Sequence, residues 1–223
     1  MGKEYIREGF QAGVSATGQN IIFYNDFSDV TKMDETNAGV NTTVAVETAL
    51  CLVGTKRLTV HTTDTTPADN DSNGAECQFF PPVGKNIAVY TVARPSTAAK
   101  TLRFVIQVNS PTTTINFGVQ YLVASNKWQY LNSAGSYVDI AGATRKLQQY
   151  SFFSLKMSIV PSTGYYKTLE INSMQYDLSA IAAHSAADTL GDGANFTFTI
   201  IADGTAQGKA QLDRLVISEV IGA

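Results

Sequence analysis

From Asn20 onward the chain alternates apolar and polar residues in short runs separated by Gly, Pro, Asn and Ser, most clearly between Tyr150 and Leu178. There Phe153, Leu155, Met157 and Ile159 alternate with Phe152, Ser154, Lys156 and Ser158, the period of two that marks a strand with one apolar face. Pro161 presets a turn and Gly164 accepts positive φ, so Pro161 to Gly164 reads as a hairpin loop. Tyr165, Lys167, Leu169 and Ile171 run back, Asn172-Ser173 turns tightly, and Met174, Tyr176 and Leu178 alternate again. The stretch predicts a three-stranded antiparallel meander.

The same pattern predicts strands at Ile21 to Tyr24, Thr42 to Glu47, Leu50 to Val53, Arg57 to Thr62, Ala75 to Phe80, Ile87 to Ala93, Leu102 to Val108, Thr114 to Val123, Lys127 to Leu131, Tyr137 to Ile140, Asn195 to Ala202 and Leu212 to Ile221. In the last of these, Leu212, Val216 and Val220 are expected on one face and Leu215, Ile217 and Ile221 on the other. Apolar residues on both faces predict a central strand. The alanines between Leu178 and Thr189 favour helix but form no continuous apolar stripe, so a loop with one or two helical turns is expected. Residues 1–19 form a polar lead in which Ile6, Phe10 and Val14 share helical spacing that Gly9 and Gly13 interrupt. They are read as a flexible arm, with residues 20–223 as one all-β sandwich or barrel.

Composition narrows the function more than the fold. Sixteen Lys and Arg against 19 Asp and Glu give a net charge of −3, so no electrostatic footprint for a nucleic acid backbone is present. The first twenty residues hold no apolar run of secretory length and no later segment has the length of a membrane span, so synthesis in a host cytoplasm and no membrane partner are expected. Cys51 and Cys77 are too few for a disulfide framework and read as buried thiols.

Three features resemble the concanavalin A-like lectin and glucanase superfamily, including laminin-G-like domains. They are Phe153-Ser154-Leu155-Lys156 through Tyr176-Asp177-Leu178, the terminal Leu212-Asp213-Arg214-Leu215-Val216-Ile217, and the opening Phe23-Tyr24-Asn25-Asp26-Phe27. The resemblance implies a jelly roll of two antiparallel sheets packed face to face. It does not select a function, because the superfamily holds sugar-binding modules, glycosidases, lyases and decoration proteins of tailed-phage heads.

A glucanase of this shape sets acidic residues along one strand, with two carboxylates about 5 Å apart. Glu170, Glu76 and Glu47 each lack an acidic partner at strand spacing, and His61 and His184 lie in no lyase-like motif, so no catalytic residue is assigned. Asp69, Asp71 and Asn73, followed by Gly74, have the start of a calcium loop. Its twelfth position is Phe80 rather than Glu, and a solvated Asx-rich turn is the competing reading. Trp128 and Tyr130 share one strand face and are the glycan-stacking candidates, with core packing as the alternative; Tyr165 and Tyr166 flank the hairpin.

These readings predict a non-enzymatic protein without a cofactor: a capsid decoration protein on the surface of a phage virion, oligomeric and bound to the major capsid protein. Tyr5, Ile6, Phe10 and Val14 of the arm are the predicted capsid contacts, with the loop from Thr63 to Gly74 pointing outward. The alternative is a carbohydrate-binding, lectin-like module, free or displayed on the particle.

Overall fold

The computed structural model describes residues 20–27, 33–36, 42–47, 56–62, 68–95, 99–187 and 192–220. The predicted arm, its four capsid-contact residues, the strand at Leu50 to Val53 and Cys51 lie outside the described residues. Among the described residues there are sixteen strands and no helix, and hence no helix long and apolar enough to cross a membrane. In chain order they are β1 (Ile21–Asn25), β2 (Asp34–Glu35), β3 (Thr43–Glu47), β4 (Arg57–His61), β5 (Asp69–Phe79), β6 (Asn86–Pro95), β7 (Ala99–Asn109) and β8 (Thr113–Leu122). They continue as β9 (Lys127–Leu131), β10 (Tyr137–Asp139), β11 (Phe153–Val160), β12 (Tyr165–Ile171), β13 (Met174–Asp177), β14 (His184–Ala187), β15 (Gly193–Asp203) and β16 (Lys209–Val220).

They form two antiparallel sheets. The first runs β13-β12-β11-β6-β16-β4-β3, with β1 also on β16; the second runs β10-β9-β8-β7-β15-β5-β2, with β14 also on β8. The predicted meander is β11-β12-β13, closed at Asn172 and Ser173, both at positive φ. The inner faces meet in one core. Leu155, Met157 and Ile159 of β11 and Ile87 and Val89 of β6 come from the first sheet; Phe104 and Ile106 of β7, Phe117 of β8 and Phe196 and Phe198 of β15 come from the second. All are fully buried, and each such side chain contributes roughly 1.5–3 kcal/mol by leaving water.

β16 is central, as its apolar faces predict, but its alternation is reset by a bulge. Arg214 rather than Asp213 pairs with Val92, so Leu212, Leu215 and Ile217 all share the core face. Period two had assigned Leu212 to the opposite face from Leu215, and the extra residue at Asp213 is the reason that it is not there.

Two further expectations are corrected. His184–Ala187 is a strand, not a helical turn: it pairs with Thr113–Asn116 on a stretch of β8 that β9 does not cover. Free backbone groups on β8 outweigh the helical preference of alanine, which is only a few tenths to about 1 kcal/mol per residue. Asp69–Asn73, expected in an outward loop, is the start of β5, but the Asx-rich turn is there: Asp71 N donates to the Ala68 carbonyl at 3.0 Å with Asn70 at positive φ. Pairing of Ser72 through Phe79, and again of Asp69, with β15 overrides the low strand preference of Asp and Asn, the register passing over Asn70 and Asp71.

Candidate ligand-binding face

The residues of the second sheet that point away from the core carry a continuous polar ladder. Alternation sends Arg103 of β7, Gln120 of β8, Lys127 and Gln129 of β9, and Tyr137 and Asp139 of β10 to this face, because Phe104, Tyr121, Trp128 and Ile140 take the inner one. Register then aligns them across four strands: Arg103 lies opposite Gln120, Gln120 opposite Gln129, and Gln129 opposite Asp139.

Each neighbour is hydrogen-bonded to the next. Arg103 Nε and Nη2 both donate to Gln120 Oε1 at 3.1 Å. Gln120 Nε2 donates to Gln129 Oε1 at 2.7 Å, and Gln129 Nε2 donates to Asp139 Oδ1 at 2.7 Å. Lys127 Nζ closes the row by donating to Asp139 Oδ2. Those bonds from Lys127 and Gln129 hold the Asp139 carboxyl below the usual carboxylate range, so the row stays charged at neutral pH.

An aromatic ring stands beside the row. The Arg103 guanidinium lies 4.9 Å from the centroid of Tyr137, within cation–π range, and burial pushes the Tyr137 phenol up. Gly118 makes room for that ring, since a Cβ there would sit 2.8 Å from Tyr137 Oη. The face thus combines fixed amide donors and acceptors, one guanidinium, one carboxylate and a phenol. Gln120 is only 6% exposed, so the groups open to a ligand are those of Arg103, Lys127, Gln129, Tyr137 and Asp139, a set with the chemistry to bind hydroxyl-rich molecules.

The sequence candidates fall elsewhere. Trp128 and Tyr130 do share a strand face, but it is the inner one. Trp128 is 1% exposed and packs on Phe104, Tyr121 and Phe153, so neither face of its indole is open for a sugar to stack on. Its Nε1–H has no hydrogen-bond partner. Tyr130 packs against Tyr166 in the same core.

Asp69, Asp71 and Asn73 are engaged separately: Asp69 pairs with Lys100 Nζ at 2.8 Å, and Asp71 Oδ2 accepts from Ala68 N. Asn73 is fully buried and spends all its polar atoms on Glu35, the His61 carbonyl and its neighbour Gly74, tying β5 to β2 and to β4 of the opposite sheet. Among the described residues no three His, Cys, Asp or Glu side chains are grouped to hold a metal ion. His61 ends β4 and His184 sits on β14, its Nδ1 3.2 Å from the Ser133 carbonyl. Tyr165 is exposed at the hairpin, while Tyr166 is buried.

Sequence reasoning missed the ladder because Arg103, Gln120, Gln129 and Asp139 come from four strands and form no local motif. The signal available was the polar residue at alternate positions in each strand, which by itself reads only as a solvated sheet face.

No family model matches the chain, and no curated protein matches it. Solved structures resemble it at low identity. A Bacillus licheniformis β-glucanase aligns over 89% of this chain and 98% of its own, with 10% identity and a TM-score of 0.54. The CBM2 module of the Lactobacillus casei BL23 phage J-1 evolved Dit aligns over 92% and 98%, with 10% identity and a TM-score of 0.52. A sialidase aligns over 90% of this chain at 9% identity and a TM-score of 0.56, but this chain spans only 19% of that protein's length. Together with the sheet topology these likenesses define the fold as an all-β, two-sheet antiparallel jelly-roll sandwich.

Proposed function

We propose that the protein is a non-enzymatic, lectin-like module that binds saccharide on the outer face of its second sheet. The observation that carries this reading is the hydrogen-bonded row Arg103–Gln120–Gln129–Asp139–Lys127 beside Tyr137. Side chains already locked to one another lose little entropy when a ligand arrives, and strand spacing repeats their polar groups about every 4.8 Å along the row. The likeness to a phage carbohydrate-binding module supports the same reading. A glycan array on the full chain tests it, with binding expected for the native protein and lost in Gln129→Ala and Arg103→Ala. Binding that survives both substitutions would move the site off this face, and an array with no bound saccharide would refute the function.

A second reading, attachment to a virion head as an oligomeric decoration protein, is favoured by the tip between β5 and β6. Phe80 is 79% exposed and Val83 is 99% exposed, on either side of Pro81 and Pro82. Apolar side chains held out this far gain by being covered, and the joint between capsid subunits is a surface that would cover them. In this reading Tyr5, Ile6, Phe10 and Val14 of the lead add contacts to the major capsid protein. Co-sedimentation with particles, compared among the native chain, Phe80→Ser/Val83→Ser and a chain lacking residues 2–19, tests it. Unchanged occupancy in both variants would discard it.

A further inference from the structure

The segment after β10 crosses from the second sheet to the first, and where it rejoins β11 it encloses a cleft of about 270 Å³. Its lining is Arg145, Lys146, Leu147, Gln148, Ser151, Phe152, Phe153 and Asn172, with two cations and no carboxylate. Arg145 and Lys146 are exposed, and no ion pair joins either to any described residue.

The cleft is built rather than incidental. Leu147 N donates to the buried Tyr121 Oη at 2.9 Å, and Tyr150 N donates to the Pro95 carbonyl at 2.8 Å, so the segment is pinned at both sheets. Asn172 Oδ1 accepts from Ser154 N at 2.9 Å, fixing the amide at the cleft wall. Tyr150 holds φ at +62°, a strained conformation for a bulky residue that persists where its surroundings impose it.

A third cation stands behind the aromatic wall. The Arg94 guanidinium lies 5.4 Å from the centroid of Tyr150 and 5.6 Å from that of Phe152, and its buried Nε has no hydrogen-bond partner. Arg94 therefore adds positive charge beside Phe152, and Arg145 and Lys146 line the same cleft, which has no acidic side chain among its residues.

We infer that this cleft is a separate subsite for one acidic sugar residue, its carboxylate held by Arg145 and Lys146 and its ring laid against Phe152. Bidentate, charge-assisted bonding by a guanidinium suits a carboxylate. The volume lies just under the range of about 300–1,000 Å³ typical for drug-sized ligands, which fits one monosaccharide unit rather than an oligosaccharide. The inference rests on the saccharide-binding reading for the kind of ligand, and on its own residues for the place and the charge.

Calorimetry on the full chain, with methyl glucuronide, methyl glucoside and inorganic sulfate as probes, tests it. Glucuronide is expected to bind at least ten-fold more tightly than either of the others, and more weakly as ionic strength rises. Arg145→Ala/Lys146→Ala, both at exposed positions, is expected to lose at least ten-fold in glucuronide affinity, and Arg145→Glu/Lys146→Glu to abolish binding. Gln129→Ala is expected to leave glucuronide affinity unchanged. Equal affinity for glucoside or for sulfate would overturn the subsite, as would glucuronide binding that survives the charge reversal. Loss of glucuronide binding in Gln129→Ala alone would overturn it while leaving the saccharide-binding function standing. Array binding of neutral glycans without any glucuronide binding would do the same.

Discussion

Tyr166 is the most informative residue to change, because one hydroxyl closes a gap between strands. β8 pairs with β9 through Val119–Leu122 and with β14 through Thr113–Asn116, which leaves Gly118 without a partner strand on that edge. Tyr166 reaches across from β12 of the opposite sheet to fill the space. Its Oη accepts from Gly118 N at 2.8 Å, donates to the Leu131 carbonyl at 2.8 Å, and lies 3.1 Å from the Gly118 carbonyl. Tyr166→Phe keeps the ring, which packs edge-on against Phe117, and removes only these bonds. The bond to the Leu131 carbonyl is worth about 1 kcal/mol, and stranding the buried Gly118 N–H costs about 1–3 kcal/mol, so a loss of about 2–4 kcal/mol is expected.

Urea unfolding followed by far-UV circular dichroism measures this loss. The midpoint should fall by about 1 M or more at a typical slope of about 1–3 kcal/mol/M, with the slope itself unchanged. Burial drives the Tyr166 phenol well above its ordinary pKa of 10.0. The folded state therefore keeps its proton where the unfolded chain has released one. That share of stability is complete below pH 10 and is lost as the pH rises beyond it, so the gap between native and variant should be constant from neutrality to about pH 9 and narrow above pH 10. A loss under about 0.5 kcal/mol at pH 7 would refute the assignment of the hydroxyl as the tie between the sheets.

Three other outcomes follow from the same packing. Trp128→Ala should cost about 3–5 kcal/mol by emptying the space among Phe104, Tyr121 and Phe153, whereas Trp128→Phe should cost much less because it also removes an unpaired buried N–H; equal losses on denaturation would contradict this. Burial pushes the Cys77 thiol up to about 12, so Ellman's reagent at pH 8 should leave Cys77 unmodified until denaturant is added, read by peptide mapping of the native protein. Asp139, whose carboxyl is lowered by Lys127 and Gln129, should titrate with its midpoint below 3.8, so a carboxyl ¹³C titration with a midpoint at or above 3.8 would break the proposed ladder.

Much of the architecture is written in local alternation. The meander, the central place of β16, the all-β class and the shared face of Trp128 and Tyr130 all follow from side chains that point to opposite faces at successive residues, a property needing no knowledge of partners. What alternation leaves open is which of two faces is the inner one, and there the tertiary structure decided: Trp128 went into the core, while Gln129 went to the outer face with its cross-strand neighbours, Asp139 exposed there and Gln120 buried beneath the row. Where local preference and long-range pairing disagreed, pairing prevailed, because backbone groups left open on β8 and β15 must be satisfied whatever residues face them. That is why an alanine-rich stretch became β14 and an Asx-rich one opened β5. The candidate binding features lie at the far end of this division. A row assembled from Arg103, Gln120, Gln129 and Asp139, or a cleft joining Arg145 to Asn172, exists only once strand order and register bring distant segments together, and no pattern within any one strand encodes that meeting.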